Sequence, residues 1–215
     1  MSTADLFAGP ERAVEPLAEG AALLRNLARP AAPSLLAAIE RVAAAAPFRH
    51  MVTPGGHAMS AAMTNCGPAG WITDRSGYRY ERVDPTTGDP WPPLPKSFAA
   101  LAARAAAMVG YAGFEPDACL INRYDPGAKL SLHQDRDEAD FTAPIVSVSL
   151  GLPATFLFGG SRRADRPRRI ELRHGDVVVW GGPARLFYHG VAPLKTGCHA
   201  LTGERRYNLT LRKAL

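Results

Sequence analysis

The chain is poor in the features that would mark it as secreted, zinc-stapled or membrane-bound. Only three cysteines, Cys66, Cys119 and Cys198, occur in 215 residues. They are odd in number, widely spaced and form no Cys-x-x-Cys pair, which excludes a disulfide framework and a thiolate zinc site and suits small neutral side chains in a reducing compartment. No apolar run approaches the roughly 20 residues that cross a bilayer; the Ala-rich stretch from Ala99 to Val109 is broken by Arg104. The opening MSTADLFAGPERAVEPLAEG carries acids and prolines where a secretory signal has a basic start and an apolar core. A cytoplasmic protein with no membrane partner is expected. No internal repeat at solenoid or propeller spacing is visible.

What is present fits one catalytic domain. With 47% hydrophobic residues, a chain of this length can bury a substantial core without splitting. We expect a single domain over residues 1–215, with an N-terminal extension over about 1–20. The net charge of +5 favours a polyanionic partner, although a modestly basic surface also occurs without one.

Two helices are predicted in the first half. Ser34 precedes Leu35, Leu36, Ile39 and Val42 in a run that Pro47 stops, giving a cap, an apolar stripe and a terminator. The second starts near Ser97, presents Phe98, Leu101, Ala105 and Met108 at helical spacing, and ends at Gly110. Between them, about 51–95 is dense in Gly and Pro and holds Met59, Met63, Trp71, Tyr78, Tyr80 and Trp91. So long an irregular segment in a small domain is usually functional, and its aromatics suggest a cover over a pocket.

From about 117 to 215 the pattern changes to short strands. Ala118 to Tyr124 leads through Asp125-Pro126-Gly127 into Lys129 to His133, which reads as a hairpin. Val146, Val148 and Leu150 alternate with Ser147 and Ser149. Further strands are expected over Ala154 to Phe158, Arg169 to Arg173, Val177 to Trp180, Arg185 to His189 and Arg205 to Leu211. Many short strands after two helices predict an α+β, mainly β fold: a double-sheet jelly roll with helices packed outside.

In that region stands His133-Gln134-Asp135, and far downstream, at a predicted strand end, His189. Alternation along a strand sends His133 and Asp135 to one side, so they can share a metal ion that His189 completes. Two imidazoles and one carboxylate on one face of an octahedral ion leave positions open for a co-substrate and dioxygen. In Arg206 to Arg212, the polar Arg206, Asn208, Thr210 and Arg212 alternate with Tyr207, Leu209 and Leu211. If the apolar side is packed, two guanidiniums and an amide point into the barrel, where buried like charges demand an anion. A dicarboxylate such as 2-oxoglutarate would satisfy them through charge-assisted pairs; a solvated edge strand is the alternative. Asn122 and Tyr124 share one strand face and could donate to the same acid, or could be a satisfied pair of core polar residues.

Together with the strings MVTPGGHAMSAAMTNCG, PDACLINRYDPGAKLSLHQDRDE, APIVSVSLGLPATFLFGG and HGDVVVWGGPARLFYHG, these residues resemble the AlkB family of Fe(II)/2-oxoglutarate-dependent alkylation-repair dioxygenases over nearly the whole chain. The resemblance implies a double-stranded β-helix of cupin type with a nucleotide-recognition lid over about 51–95. It implies that His133, Asp135 and His189 bind Fe(2+) and form the catalytic centre. Arg206 would hold one end of 2-oxoglutarate with Asn122, Tyr124, Asn208 and Arg212 assisting, and O2 would be the second co-substrate. Trp71 and His133 would sandwich a flipped alkylated base, with Tyr78 and Lys129 at backbone phosphates, Asp137 near the base edge, and Met63 and Arg163 also on the substrate side. The segment Ser161 to Arg169 departs most from the family, being rich in Arg.

The expected reaction is oxidative demethylation of 1-methyladenine and 3-methylcytosine in single-stranded DNA, with RNA and double-stranded DNA as further partners, by a monomer. Two alternatives stand beside it: a 2-oxoglutarate oxygenase acting on a protein or small molecule, and a non-catalytic nucleic-acid-binding module stabilised by its metal.

Overall fold

The computed structural model describes residues 14–215. It opens on two strands that the sequence pattern did not reveal, β1 (Val14–Ala18) and β2 (Ala21–Leu24). The expected extension over about 1–20 is therefore sheet from Val14; its first thirteen residues lie outside the described part. Pro16 argues against a central strand, and β1 takes the sheet edge, where a missing N–H is tolerated.

Helix α1 (Ala32–Ala45) begins two residues before Ser34, with Pro33 in its first turn and no side-chain cap. Proline pre-sets the helical φ there and makes Ser34 an interior residue, its hydroxyl donating back to the Ala31 carbonyl at 2.8 Å. Helix α2 (Lys96–Met108) closes as expected, with Gly110 at φ +93° donating to the Ala107 carbonyl. Met108 lies at its frayed end, 38% exposed, and is not part of the apolar stripe.

The remaining strands are β3 (Ala62–Cys66), β4 (Gly70–Asp74), β5 (Gly77–Glu81), β6 (Ala118–Tyr124), β7 (Leu130–His133), β8 (Ile145–Gly151), β9 (Ala154–Phe158), β10 (Arg168–Leu172), β11 (Val177–Trp180), β12 (His189–Val191) and β13 (Arg206–Arg212). A seven-stranded sheet runs β1-β2-β11-β8-β13-β6-β3 and a four-stranded sheet runs β10-β9-β12-β7, while β4 and β5 pair alone. All pairings are antiparallel. This is the mainly β jelly roll with helices outside.

Three expectations change. Strands β6 and β7 do not form a hairpin: the turn at Asp125 forms, with the Ala128 N–H donating to the Asp125 carbonyl, but it carries the chain from one sheet to the other. Arg185 to Tyr188 is not strand; a 3-10 turn at Gly182–Ala184 precedes it and β12 starts only at His189. Part of the expected lid, β3, is an edge strand of the large sheet, paired along β6.

Packing explains the register. Val146, Val148, Leu150, Leu209 and Leu211 face outward into one cluster with Leu35, Ile39, Val42 of α1 and Phe98, Leu101, Ala105 of α2. Each such side chain contributes about 1.5–3 kcal/mol when buried, and a one-residue slip of β13 would turn its arginines into that cluster. The alternate residues Ser147, Ser149, Arg206, Asn208, Thr210 and Arg212 consequently face the barrel interior, and all are buried.

Candidate metal centre and co-substrate pocket

His133 ends β7 and His189 begins β12, and the two are direct cross-strand partners in the small sheet. Asp135 lies two residues beyond β7. Ligand atoms of His133, Asp135 and His189 all lie within 4.8 Å of one another, and the imidazole centroids are 4.4 Å apart. Each ring is oriented from behind: Nδ1 of His133 faces the Ser131 carbonyl at 2.8 Å and Nδ1 of His189 faces the Phe187 carbonyl at 3.0 Å. Donation from Nδ1 leaves the Nε2 lone pairs for a metal. Both Nε2 atoms lie near the Asp135 carboxylate, at 3.5 Å from Oδ1 for His133 and 3.8 Å from Oδ2 for His189.

Protonation states suit ligation. Burial, then the neighbouring His133, pulls His189 down to about 4, so the ring is neutral at physiological pH. Burial alone would raise the Asp135 pKa, but the Arg212 charge and the His133 hydrogen bond outweigh it and hold the carboxyl well below the usual range. Arg212 donates from Nε at 3.0 Å and from Nη2 at 2.7 Å to Oδ2, leaving Oδ1 toward His133. Among the described residues no fourth carboxylate or thiolate joins the cluster, so the donor set is a three-ligand site of the kind that suits Fe(II).

Across the interior, Arg206 pairs with Tyr124 and Asn208 with Asn122 between β13 and β6. Arg206 is 1% exposed; its Nη2 donates to the Ser149 hydroxyl at 3.0 Å, while among the described residues Nε and Nη1 meet no acceptor. Oδ1 of the buried Asn122 is likewise unpartnered. A buried guanidinium in that condition is costly unless an anion reaches it, so the residues present fit a dicarboxylic acid. Burial pushes the Tyr124 phenol up to about 12, keeping it a neutral donor. Asn208 spends its amide on Ser147 and the Val148 carbonyl and accepts from Thr210.

Above the metal cluster stands the β4–β5 hairpin. Trp71 and Tyr78 stack at 5.7 Å and 19°. Asn65 of β3 clamps the Trp71 backbone with two hydrogen bonds, and the Trp71 indole N–H donates to Asp137 at 2.7 Å. Tyr80 donates to Glu138 at 2.8 Å. Glu138 is buried and also pairs with Arg185 at 2.9 Å and Arg212 at 3.3 Å; Arg185 donates in addition to the Asp135 carbonyl. Sequence reading placed Tyr80 among the aromatics of the cover but missed Asn65, Glu138 and Arg185 as parts of the site. Of the expected substrate residues, Lys129 is exposed on a backbone tied to Ser60, and the Arg163 guanidinium lies over the Tyr188 ring at 5.8 Å. Met63 lies on β3 opposite Asn122, 1% exposed in one cluster with Met51, Trp91 and Tyr124.

A jelly roll that frames an open His-Asp-His cluster beside an unpaired buried arginine defines a 2-oxoglutarate/Fe(II) oxygenase, and the family model for the 2OG-Fe(II) oxygenase superfamily matches residues 20–212. Within that superfamily the chain belongs to the AlkB dioxygenases. It is 64% identical over 210 residues to the alpha-ketoglutarate-dependent dioxygenase AlkB of Salmonella typhimurium and 62% identical to that of Escherichia coli, in each case over 98% of this chain and 97% of the relative. Among solved structures it is similar to OsALKBH1, with a TM-score of 0.81 at 26% identity, covering 94% of this chain and all of the other. Its cofactor is Fe(II), with 2-oxoglutarate and O2 as co-substrates.

Proposed function

We propose that the protein repairs alkylated nucleic acid by oxidative demethylation, acting on 1-methyladenine and 3-methylcytosine in single-stranded DNA, with RNA and double-stranded DNA as further substrates. The observation that carries the reading is the three-ligand cluster lying under a tryptophan-bearing hairpin and beside a buried guanidinium with two free nitrogens. The chain works as one monomeric domain in the cytoplasm; among the described residues no helix is long and apolar enough to cross a membrane.

His133, Asp135 and His189 hold the iron, and bound there with 2-oxoglutarate and O2 it supplies the oxidising power that hydroxylates an N-methyl group as succinate and carbon dioxide form. Arg206 grips the carboxylate of 2-oxoglutarate remote from the metal. Asn122 and Tyr124 line that acid, Asn208 steadies the floor through Ser147 and Thr210, and Arg212 fixes the Asp135 carboxylate while flanking the acid. A base must leave the stack to bring its methyl group to so deep a site. Trp71 stacks on it from the lid side opposite His133. Asp137 faces its edge, Tyr78 and Lys129 meet flanking phosphates, and Arg163 lies on the substrate side. The hydroxymethylated base then loses formaldehyde, restoring the unmodified ring.

Incubation with iron, 2-oxoglutarate and a methylated oligonucleotide, followed by weighing the product, tests the reading: each lesion should lose one methylene unit with one succinate formed. Succinate formation stimulated by a protein or metabolite, with the oligonucleotide unchanged, would reassign the substrate. A bound metal with no turnover on any substrate would leave only a binding module.

A further inference from the structure

We propose that the stacked imidazoles of His174 and His199 are positioning residues for the co-substrate: they clasp the turn after β8 to the loop before β13, hold Arg206 in place, and do so only while both rings are neutral. This rests on the reading of Arg206 as the partner of 2-oxoglutarate and adds what holds that arginine at its end of the pocket.

Two pairs of histidines lie ring to ring, and they are oriented in opposite senses. His133 and His189 turn Nδ1 to carbonyl oxygens and keep Nε2 for the metal. His174 and His199 lie with ring centroids 4.4 Å apart at 27°. Each turns Nδ1 to a backbone N–H, that of Gly151 at 3.0 Å for His174 and that of Leu201 at 3.2 Å for His199. A backbone N–H only donates, so both Nδ1 atoms must accept, and both rings are neutral with the proton on Nε2. A metal at Nε2 would move that proton to Nδ1, against the N–H, so the pair is not a second metal centre.

Turn and loop meet at the start of β13. Gly151 closes β8 and lies opposite Arg206. It holds φ +91°, and a Cβ there would strike the Thr202 hydroxyl and the Arg205 carbonyl, so the two segments are in direct contact. The Arg205 carbonyl accepts from the Leu152 N–H at 3.2 Å and from the Thr202 hydroxyl at 2.8 Å. Reciprocal backbone bonds of 2.8 Å between His199 and Gly203 close the loop on itself. On the other flank, the turn that carries His174 reaches the residue that holds the Arg206 side chain: the Gly175 N–H donates to the Ser149 carbonyl at 2.8 Å, and the Ser149 hydroxyl accepts from Arg206. The stack thus ties together the segments 149–152 and 199–205, which hold Arg206 by its side chain and by its backbone.

Acid undoes the clasp. A second ring proton goes to Nδ1, where it faces an N–H, and two cationic rings this close repel. Burial first, then His199 and Arg29, holds His174 below its ordinary value; Arg29, in the 3-10 turn Arg29–Ala31, packs on Gly175. Carboxylates of the adjoining segments are engaged elsewhere, Asp176 with Arg25, Glu171 with Arg173 and Asp125 with Arg205, and Lys195 and Glu204 are exposed on the loop itself. Because the folded site prefers the neutral ring, the clasp contributes fully above about pH 6.5, the ordinary histidine value, and is lost as pH falls through the lowered one.

The test is calorimetric titration of the iron-loaded protein with 2-oxoglutarate, without oxygen, at about pH 7.5 and about pH 5 on either side of the ordinary histidine value, with iron stoichiometry measured at each. His174→Phe keeps an aromatic ring for the stack and removes the acceptor. His174→Asn keeps an oxygen near the place of Nδ1 and does not titrate in this range. Between the two pH values the wild type should lose about fivefold more affinity than His174→Asn, the worth of one hydrogen bond, while any loss through the metal ligands is common to both. His174→Phe should be about fivefold weaker already at the higher pH. Ring-nitrogen NMR of the zinc-loaded protein should show both imidazoles protonated on Nε2 alone at the higher pH. A proton on Nδ1 of either ring would overturn the clasp, as would identical pH profiles for wild type and His174→Asn; if His174→Phe fails to fold, these two results decide alone. Unchanged co-substrate affinity in Arg206→Ala would overturn the reading of Arg206 and the clasp with it, whereas a large loss there beside identical His174→Asn and wild-type profiles removes the clasp alone.

Discussion

The two walls of the cleft are built in different ways. The floor, β13 between β8 and β6, is hydrogen-bonded along both edges and backed by α1 and α2. The lid, β4 with β5, is an isolated two-stranded sheet of a kind that is marginal alone. It is attached through polar contacts, among them Asn65 to Trp71, Trp71 to Asp137, Tyr80 to Glu138, Thr73 to the Val52 carbonyl and the Trp91 indole to the Glu81 carbonyl, and through Ile72, buried in one cluster with Met51 and Trp91. Apolar packing fixes the floor, so the arginines and amides that receive the co-substrate are positioned before anything binds. Directional bonds hold the rim of the lid above a smaller apolar anchor at Ile72, and two of those bonds end on the loop that follows the metal ligand Asp135. A base lodging under Trp71 thus bears on the same few residues that orient the metal carboxylate.

The sharpest break of that comparison removes what both walls serve. His189→Ala deletes one of three ligands and little packing, so turnover should fall to background with the fold retained; iron stoichiometry and product formation check it, and near-normal activity would exclude His189 as a ligand. Next is the joint between the walls. Glu138 is almost fully buried between Arg185, Arg212 and Tyr80, and removing one partner of a buried ion pair typically costs about 3–5 kcal/mol. Glu138→Ala should lower unfolding stability by about that much; a loss below about 1 kcal/mol, measured by chemical denaturation, would show that the joint does not hold the walls together.

Breaking only the floor should have a separable and smaller effect. Arg206→Ala should weaken 2-oxoglutarate binding by a few kcal/mol, roughly a hundredfold, while leaving nucleic-acid affinity near wild type. Calorimetric titration of the co-substrate measures it, and an unchanged dissociation constant would reassign Arg206.

The floor was the legible wall. Its strand β13 alternates polar and apolar over seven residues, because one face packs on helices and the other lines a pocket, and periodicity reports that division directly. His133 and Asp135 were legible for a related reason, close spacing near a strand end. The lid's attachments were not. Glu138 sits in the charged run Asp135 to Asp140 and resembles a solvated acid until the fold brings Arg185, 47 residues away, onto it. The five-residue β3, buried on both faces, carries no alternation to separate it from the surrounding loop. Likewise β1 and β2 are short and lack a polar face to count.

The finest cut concerns how the lid tells a lesion from a normal base. Methylation at N1 of adenine or N3 of cytosine fixes a positive charge on the ring, so a carboxylate at the base edge attracts the lesion alone. Asp137 is exposed, two residues beyond Asp135, and its Oδ2 already accepts from the Trp71 indole. It can therefore act in two ways, by charge on the base or by holding the stacking ring. Asp137→Ala removes both and should lower kcat/KM on cationic lesions more than on the neutral 1-methylguanine. Asp137→Asn keeps a side-chain oxygen for Trp71 and removes only the charge. If charge is read, the asparagine variant should lose about fivefold on 1-methyladenine, the size of one half-solvated ion pair of about 1 kcal/mol, and almost nothing on 1-methylguanine in the same strand. Equal losses on both lesions with alanine, restored together by asparagine, would assign Asp137 to positioning Trp71 and move the charge-reading role elsewhere in the cleft.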